Sequence, residues 1–504
     1  MPYHAVRKSK RIDAGPLIEL NEPVFPFPFS FHSILDIPRI GRRDWFKIGA
    51  LSGLGIGPSF LTRTTLAGPN QNSNISAGFG RAKSVIILFA SGGQSQLETW
   101  DPKPEAPDGI RGEFSSIETS VPGLRFCEHL PRVAKRADQL TVIRSMSHDD
   151  LDHGSAIYLS MTGQFHPRKS SNLPPRPEDA PALGAILQRV RATNRFPYSA
   201  IHLNGPVLIP DTPGPGQYGG FLGRTYEPMI LGDVTQASAI LDGLTPLPGL
   251  PLDRQSARAA LLERYDVARR HTEADRPATA MSEIYRQAHR LLESPRCRQA
   301  FDLSREPEEL KDRYGRFRSG QACLLARRLV EAEVPLVTVF LNESIRGQDF
   351  SANETDAYGW DTHNDIFASL KNHLLPRFDI SFSALLEDLE DRGLLESTLV
   401  VCMGEFGRAP RVAAEPNFKG SSPGRKHWAA VYSIVMAGAG VGRGQIVGSS
   451  DRIGAYPETT PISPGDVAAT IFASLGIDPS NHFTDALGRP IAIATGRPIE
   501  ELYH

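Results

Sequence analysis

The sequence predicts an α/β protein built on an open, mostly parallel sheet, and two stretches carry that expectation. The run Ser84-Val85-Ile86-Ile87-Leu88-Phe89-Ala90 is apolar without alternation, as suits a central parallel strand covered on both faces. From Ile366 to Leu395 the leucines, with Phe378, Phe382, Leu385, Leu386 and Leu389, recur at helical spacing, and Ser397 to Met403 follows as a second buried strand. A helix, then a strand, then a polar cluster at the strand's carboxyl end is the arrangement in which open α/β sheets hold ligands.

Composition narrows the class. The chain has 504 residues and a formal net charge of -2, with its basic residues spread and balanced by acidic ones, so a large core is affordable and nucleic acid is not an expected partner. Cys127, Cys297, Cys323 and Cys402 lie far apart and show neither metal-ligand spacing nor a disulfide framework.

Taken in order, residues 1–67 are expected to be an N-terminal arm and export signal, and residues 68–504 a single domain with loop insertions. The signal is the sequence Arg42-Arg43-Asp44-Trp45-Phe46-Lys47, the mild apolar run Ile48 to Leu61, and the small-residue stretch Thr65-Leu66-Ala67. This resembles a twin-arginine signal and implies a periplasmic or secreted protein, with no transmembrane helix in the mature chain. After the strand at Ser84, Ser91-Gly92-Gly93-Gln94-Ser95-Gln96 turns tightly at the sheet's carboxyl edge and is expected to wall the site. A helix near Leu130 to Ala137 and a strand Leu140 to Arg144 lead into the polar stretch Ser147 to Ser155, where a second helix starts at Asp152 or His153 and stops at Gly163. Phe165 to Pro181 is a long loop. A short helix over Ala182 to Arg191 and a strand over Tyr198 to Leu203 come next. Gly205 to Gly223 is expected to be a surface insertion lining a substrate groove. The charge in Leu252 to Leu292 and Arg305 to Ala332 is expected on solvated helix faces. Further strands are expected over Glu333 to Leu341 and Ala430 to Ala437, with a closing helix over Pro464 to Leu475.

Three polar clusters bear the chemistry: Gly359 to Asp365, Gly404 to Arg408, and Gly424 to Trp428. They offer Asp361, His363, Asp365, Glu405 and His427, a mixture of imidazoles and carboxylates suited to zinc, manganese or iron. Any one of these histidines alone would more often cap a helix or pack in a core, and Asp361 alone would be an N-cap. Their recurrence on three loops, each at the edge of an element, points to a shared metal site.

The order of motifs resembles the exported bacterial family of domain of unknown function 1501. It runs from the arginine pair through Gly92 to Pro104, His153-Gly154-Ser155, Gly359-Trp360-Asp361-Thr362-His363, Gly404-Glu405-Phe406-Gly407-Arg408 and His427-Trp428 to the ending Gly488-Arg489-Pro490. That family is similar in turn to the alkaline phosphatase and sulfatase superfamily. The resemblance implies an alkaline phosphatase-like three-layer αβα sandwich with a doubly wound sheet. It also implies a divalent metal, zinc first with calcium or manganese as alternatives, held by Asp361, His363, Glu405 and His427. The substrate implied is an anionic sulfate or phosphate ester, with a sulfated polysaccharide as one candidate. Ser155 would be the nucleophile, or His153 a base or phosphoryl acceptor, and Arg408, Arg425 or Lys426 would balance anionic charge. The chain departs from the superfamily where Ser91 replaces a metal-binding Asp and His153 occupies the nucleophile's place. A scaffold that has kept the architecture and lost the chemistry, serving as an exported binding or assembly protein, is the alternative.

Overall fold

The central sheet has eight strands. In chain order they are β1 (Ser84–Phe89), β2 (Leu140–Met146), β3 (Ala200–Leu203), β4 (Met229–Leu231), β5 (Leu336–Phe340), β6 (Thr398–Met403), β7 (Tyr432–Ala437) and β8 (Gln445–Val447). The computed structural model describes residues 78–503 apart from 194, 210–211, 236–253, 255, 259, 263, 265–275, 344–358 and 486. The expected export signal lies outside the described residues.

Across the sheet the order is β8-β2-β7-β6-β1-β5-β3-β4. β1 pairs in parallel with β5 on one side and β6 on the other, and β7 alone runs antiparallel to both of its neighbours. Because successive side chains leave a strand on opposite faces, each strand feeds two cores. Ile86 and Leu88 of β1, with Val337, Val339, Val400 and Cys402, face the helices α3 (Arg318–Glu331) and α4 (Leu375–Asp391). Val85, Ile87 and Phe89, with Leu399, Val401, Ile434 and Met436, face α1 (His153–Thr162), α2 (Leu183–Val190) and α5 (Pro464–Ser474). The result is the expected three-layer αβα sandwich. Each buried Leu, Ile or Val in these layers contributes about 1.5–3 kcal/mol of transfer free energy, which is why the unbroken apolar runs sit at the middle of the sheet.

Most predicted elements form where expected, and four differ. The helix expected near Leu130 is only Pro131–Ala134 followed by a 3-10 turn at Ala137–Gln139. The helix from Ile366 is interrupted by a π turn at Leu370–Leu374 before it resumes. Pro376 explains the interruption, since it has no N-H to continue the regular ladder. The stretch expected as a surface groove is packed inside at residues 214–217: Gln217 is buried, donates to Val207 O at 3.1 Å and Gly214 O at 3.0 Å, and accepts from Val207 N at 2.8 Å. The charge on α3 is not a solvated face either. Arg327 is fully buried and paired with Glu306 at 2.8 Å, Asp388 at 2.8 Å and Glu331 at 2.7 Å.

Candidate metal centre

Four connections meet at one edge of the sheet. β1, β2, β5 and β6 are parallel, so the chain leaves all four at the same edge, and antiparallel β7 enters from it. The loop after β1 carries Gly92, the loop after β2 carries His148 and His153, the connection after β5 returns at Trp360 and Asp361, and the loop after β6 carries Glu405. A two-stranded ribbon between β6 and β7 pairs His427 with Arg408 and Trp428 with Gly407. The loops fit closely: Gly92 has φ +110, and a Cβ there would meet the Asp361 amide nitrogen at 2.3 Å. A side chain at this position would therefore separate the first loop from the third.

His153, Asp361, His363 and His427 converge so that one ligand atom of each lies within 4.8 Å of every other, making a group that could hold a metal ion. His153, Asp361 and His363 are about 95% buried, at 4%, 4% and 5% exposure, and His427 sits at the mouth. Asp361 Oδ1 is 3.1 Å from Nε2 of both His363 and His427, and Asp361 Oδ2 is 3.1 Å from His153 Nε2. The two nitrogens His363 Nε2 and His427 Nε2 face each other at 2.8 Å.

The atoms behind the imidazoles decide which nitrogens face the centre. His153 Nδ1 is 2.7 Å from Glu405 Oε1, and His427 Nδ1 is 2.7 Å from Leu151 O. Carboxylate and carbonyl oxygens accept, so each Nδ1 donates, and in the neutral ring each Nε2 turns a lone pair inward. A carboxylate or carbonyl behind a histidine is the usual outer support of a metal ligand. His153 Nε2 is buried, aimed at Asp361, and lacks the alignment of a hydrogen bond to any partner. Three inward nitrogens and one carboxylate, one nitrogen without a partner, fit a divalent cation.

Electrostatics agree. Burial alone would depress His153, but the Asp361 carboxylate beside it and the Glu405 carboxylate, hydrogen-bonded to Nδ1, lift it to about 9. The site thus calls for a positive charge beside these carboxylates, whether a proton or a metal supplies it. Burial and the adjacent His153 push His427 down to about 3, which keeps it a neutral donor. Burial opposes ionisation of Asp361, yet His153 and Arg408 hold its carboxyl well below the usual range.

Other predicted residues fall around this group. Glu405 stands one step behind, accepting from His153 and from Gly92 N at 2.7 Å, while His148 Nε2 donates to the Glu405 carbonyl at 2.7 Å. Arg408 is fully buried. It reaches Asp361 Oδ1 at 2.6 Å, Trp360 O, Gly93 O and Arg425 O each at 3.1 Å, and Gly92 O, so its donors are spent on holding Asp361 and the loops. Ser155 does not join the group: its Oγ donates to Asp150 Oδ1 at 2.9 Å and accepts from Ser170 N at 3.1 Å. Asp365 is also apart, its carboxylate accepting from the amides of Ser421 and Ser422. Sequence reasoning placed His153 in the site but missed its place beside Asp361. The Leu151 carbonyl and the Phe418 ring, stacked on His363 at 3.6 Å, were not found because neither backbone acceptors nor loop aromatics carry a residue-type signal.

Residues 82–503 match the family described as protein of unknown function (DUF1501). The chain belongs to this family. A comparison with curated proteins found no match. Among solved structures, the chain is similar to the phosphonate monoester hydrolase SpPMH from Silicibacter pomeroyi, at 11% identity over 83% of this chain and 76% of that one, with a TM-score of 0.37. It is also similar to the PsFucS1 sulfatase from Pseudoalteromonas sp., at 14% identity over 80% and 70%, with a TM-score of 0.35. A TAB5 alkaline phosphatase mutant with Mg bound shows 9% identity over 79% and 99%, with a TM-score of 0.33. No helix among the described residues is long and apolar enough to cross a membrane.

Proposed function

We propose that this chain is an exported, metal-dependent hydrolase of sulfate or phosphate esters. The observation that carries the reading is the buried convergence of His153, Asp361, His363 and His427 at the carboxyl edge of the sheet. Three imidazoles and one carboxylate suit zinc first, with manganese next and calcium least, since calcium favours an all-oxygen shell. A divalent ion, which His153, Asp361, His363 and His427 would hold, would supply Lewis-acid polarisation of an ester oxygen and would lower the pKa of a bound water to about 7. The ester class follows from the resemblance of the motifs to the alkaline phosphatase and sulfatase superfamily, and export follows from the twin-arginine sequence at Arg42-Arg43.

The chain's own side chains then have separate tasks. Glu405 and the Leu151 carbonyl fix the proton of two imidazoles on the outer nitrogen. Arg408 pins Asp361 and offsets its charge without reaching solvent. With a dication bound, the pocket carries net positive charge and attracts an anionic ester. Water is assigned as the attacking group, because the Ser155 hydroxyl is committed to Asp150 and Ser170.

The second reading, an exported binding or assembly protein, is favoured by one observation: the hydroxyl expected as nucleophile, that of Ser155, is bonded to Asp150 and Ser170 instead of joining the converging group. Turnover of aryl sulfates, phosphates and phosphonates by metal-loaded protein separates the two. His153→Ala is expected to lower kcat/KM by about 100-fold or more. Ser155→Ala is expected to cost about 1 kcal/mol of stability and to leave turnover largely intact. Full activity in His153→Ala rejects the assignment, and metal-loaded protein inert toward every ester supports the second reading.

A further inference from the structure

We propose that Phe418 is the positioning residue for His363, holding that imidazole face-on so that it can bind a cation; this rests on the metal reading above. The three imidazoles are not supported alike. His153 and His427 each direct Nδ1 to an oxygen at 2.7 Å. His363 Nδ1 is buried with no partner. What it has instead is the Phe418 ring, 3.6 Å away between centroids and 7° from parallel. Rotation about the His363 side-chain bonds is blocked by a flat surface where the other two rings are held by hydrogen bonds.

The loop that delivers Phe418 is built onto the two residues after His363. Asn364 Nδ2 donates to Glu415 O at 2.9 Å, Phe418 O at 3.1 Å and Lys419 O at 3.2 Å, and its Oδ1 accepts from Glu415 N at 2.9 Å. Asp365 Oδ1 accepts from Ser422 N at 2.7 Å, Ser422 Oγ at 2.7 Å and Ser421 N at 3.1 Å. Gly420 has φ +129, and a Cβ there would meet Asn364 Cβ at 2.4 Å, so the loop approaches as closely as the backbone permits. The segment His363-Asn364-Asp365 therefore supplies a metal-type donor and the anchor of its support in three consecutive residues.

Stacking also contributes differentially. A ligated imidazole carries part of the ion's positive charge, and an aromatic face attracts positive charge through its quadrupole. The contact is therefore stronger with the cation bound than without it, which makes Phe418 a determinant of affinity as well as of loop packing.

The test is titration of the purified full-length protein with Co2+ alone, followed by the visible absorption of the bound ion. Phe418→Leu keeps the apolar volume of a half-buried position and removes the flat face. It is expected to weaken Co2+ binding by about 10- to 100-fold, the usual cost of losing an outer support, and to change the absorption band shape. Phe418→Tyr, which restores the face, is expected to rescue both. Asp365→Asn loosens the loop without touching the ring and is expected to weaken binding in the same direction. Affinity and band shape in Phe418→Leu indistinguishable from wild type would overturn the positioning role. Wild-type protein that binds no Co2+ would overturn the metal reading itself, whereas wild-type binding lost in His427→Ala but unchanged in Phe418→Leu overturns only the inference about Phe418.

Discussion

Asp361→Ala is expected to abolish metal binding and to destabilise the folded chain by about 3–5 kcal/mol, the cost of leaving a buried charge without its partner. Asp361 puts a carboxylate oxygen against each of the three imidazoles of the group. Its two oxygens lie 3.1 Å from the Nε2 atoms of His153, His363 and His427, and 2.6 Å from Arg408 Nη2. Without it Arg408 stays fully buried with only carbonyl partners, and three imidazoles crowd together with Glu405, behind His153, as the remaining carboxylate. Metal content and thermal unfolding read the two effects separately. Retained metal with a wild-type melting temperature would show that Asp361 is not the hub.

Glu98→Ala is expected to cost a similar amount, about 3–5 kcal/mol, by the same physics at a second buried pair. Glu98 and Arg425 are 1% and 0% exposed, and the guanidinium contacts the carboxylate through Nη2 at 2.6 Å and Nε at 3.0 and 3.1 Å. Arg425 also donates to Ala409 O at 3.2 Å, Ile110 O at 2.8 Å and Pro410 O, so it ties the loop after β1 to both strands of the ribbon that carries His427. Removing the carboxylate strands that charge, whereas replacing both partners by apolar residues of similar volume is expected to cost less. Denaturant unfolding of the single and double variants measures the difference, and equal costs would remove the pair's role.

The parallel strands could be read from the sequence because burial on both faces leaves runs such as Val85 to Phe89 and Leu399 to Met403 with no polar interruption. Direction could not, since the apolar run Tyr432–Ala437 looks the same whether it runs with or against its neighbours, and it runs against them. Buried charge misleads composition. Arg327 resembles any surface arginine until Glu306 and Asp388, distant in sequence, are seen to enclose it. The same limit applied at the centre. Residue types and loop positions were enough to nominate Asp361, His363 and His427, but the placement of Glu405 behind His153, and of Ser155 against Asp150, depends on which way a loop of a few residues turns.

The central claim is that four side chains from three separate connections hold one cation. Elemental analysis of the purified full-length protein tests it most directly. The account predicts about one tightly held divalent ion per chain in the wild type, lost in the His363→Ala, His427→Ala double variant while the fold is retained. Wild-type protein that is folded yet free of metal, and that takes up none on supplementation with zinc or manganese, would contradict it.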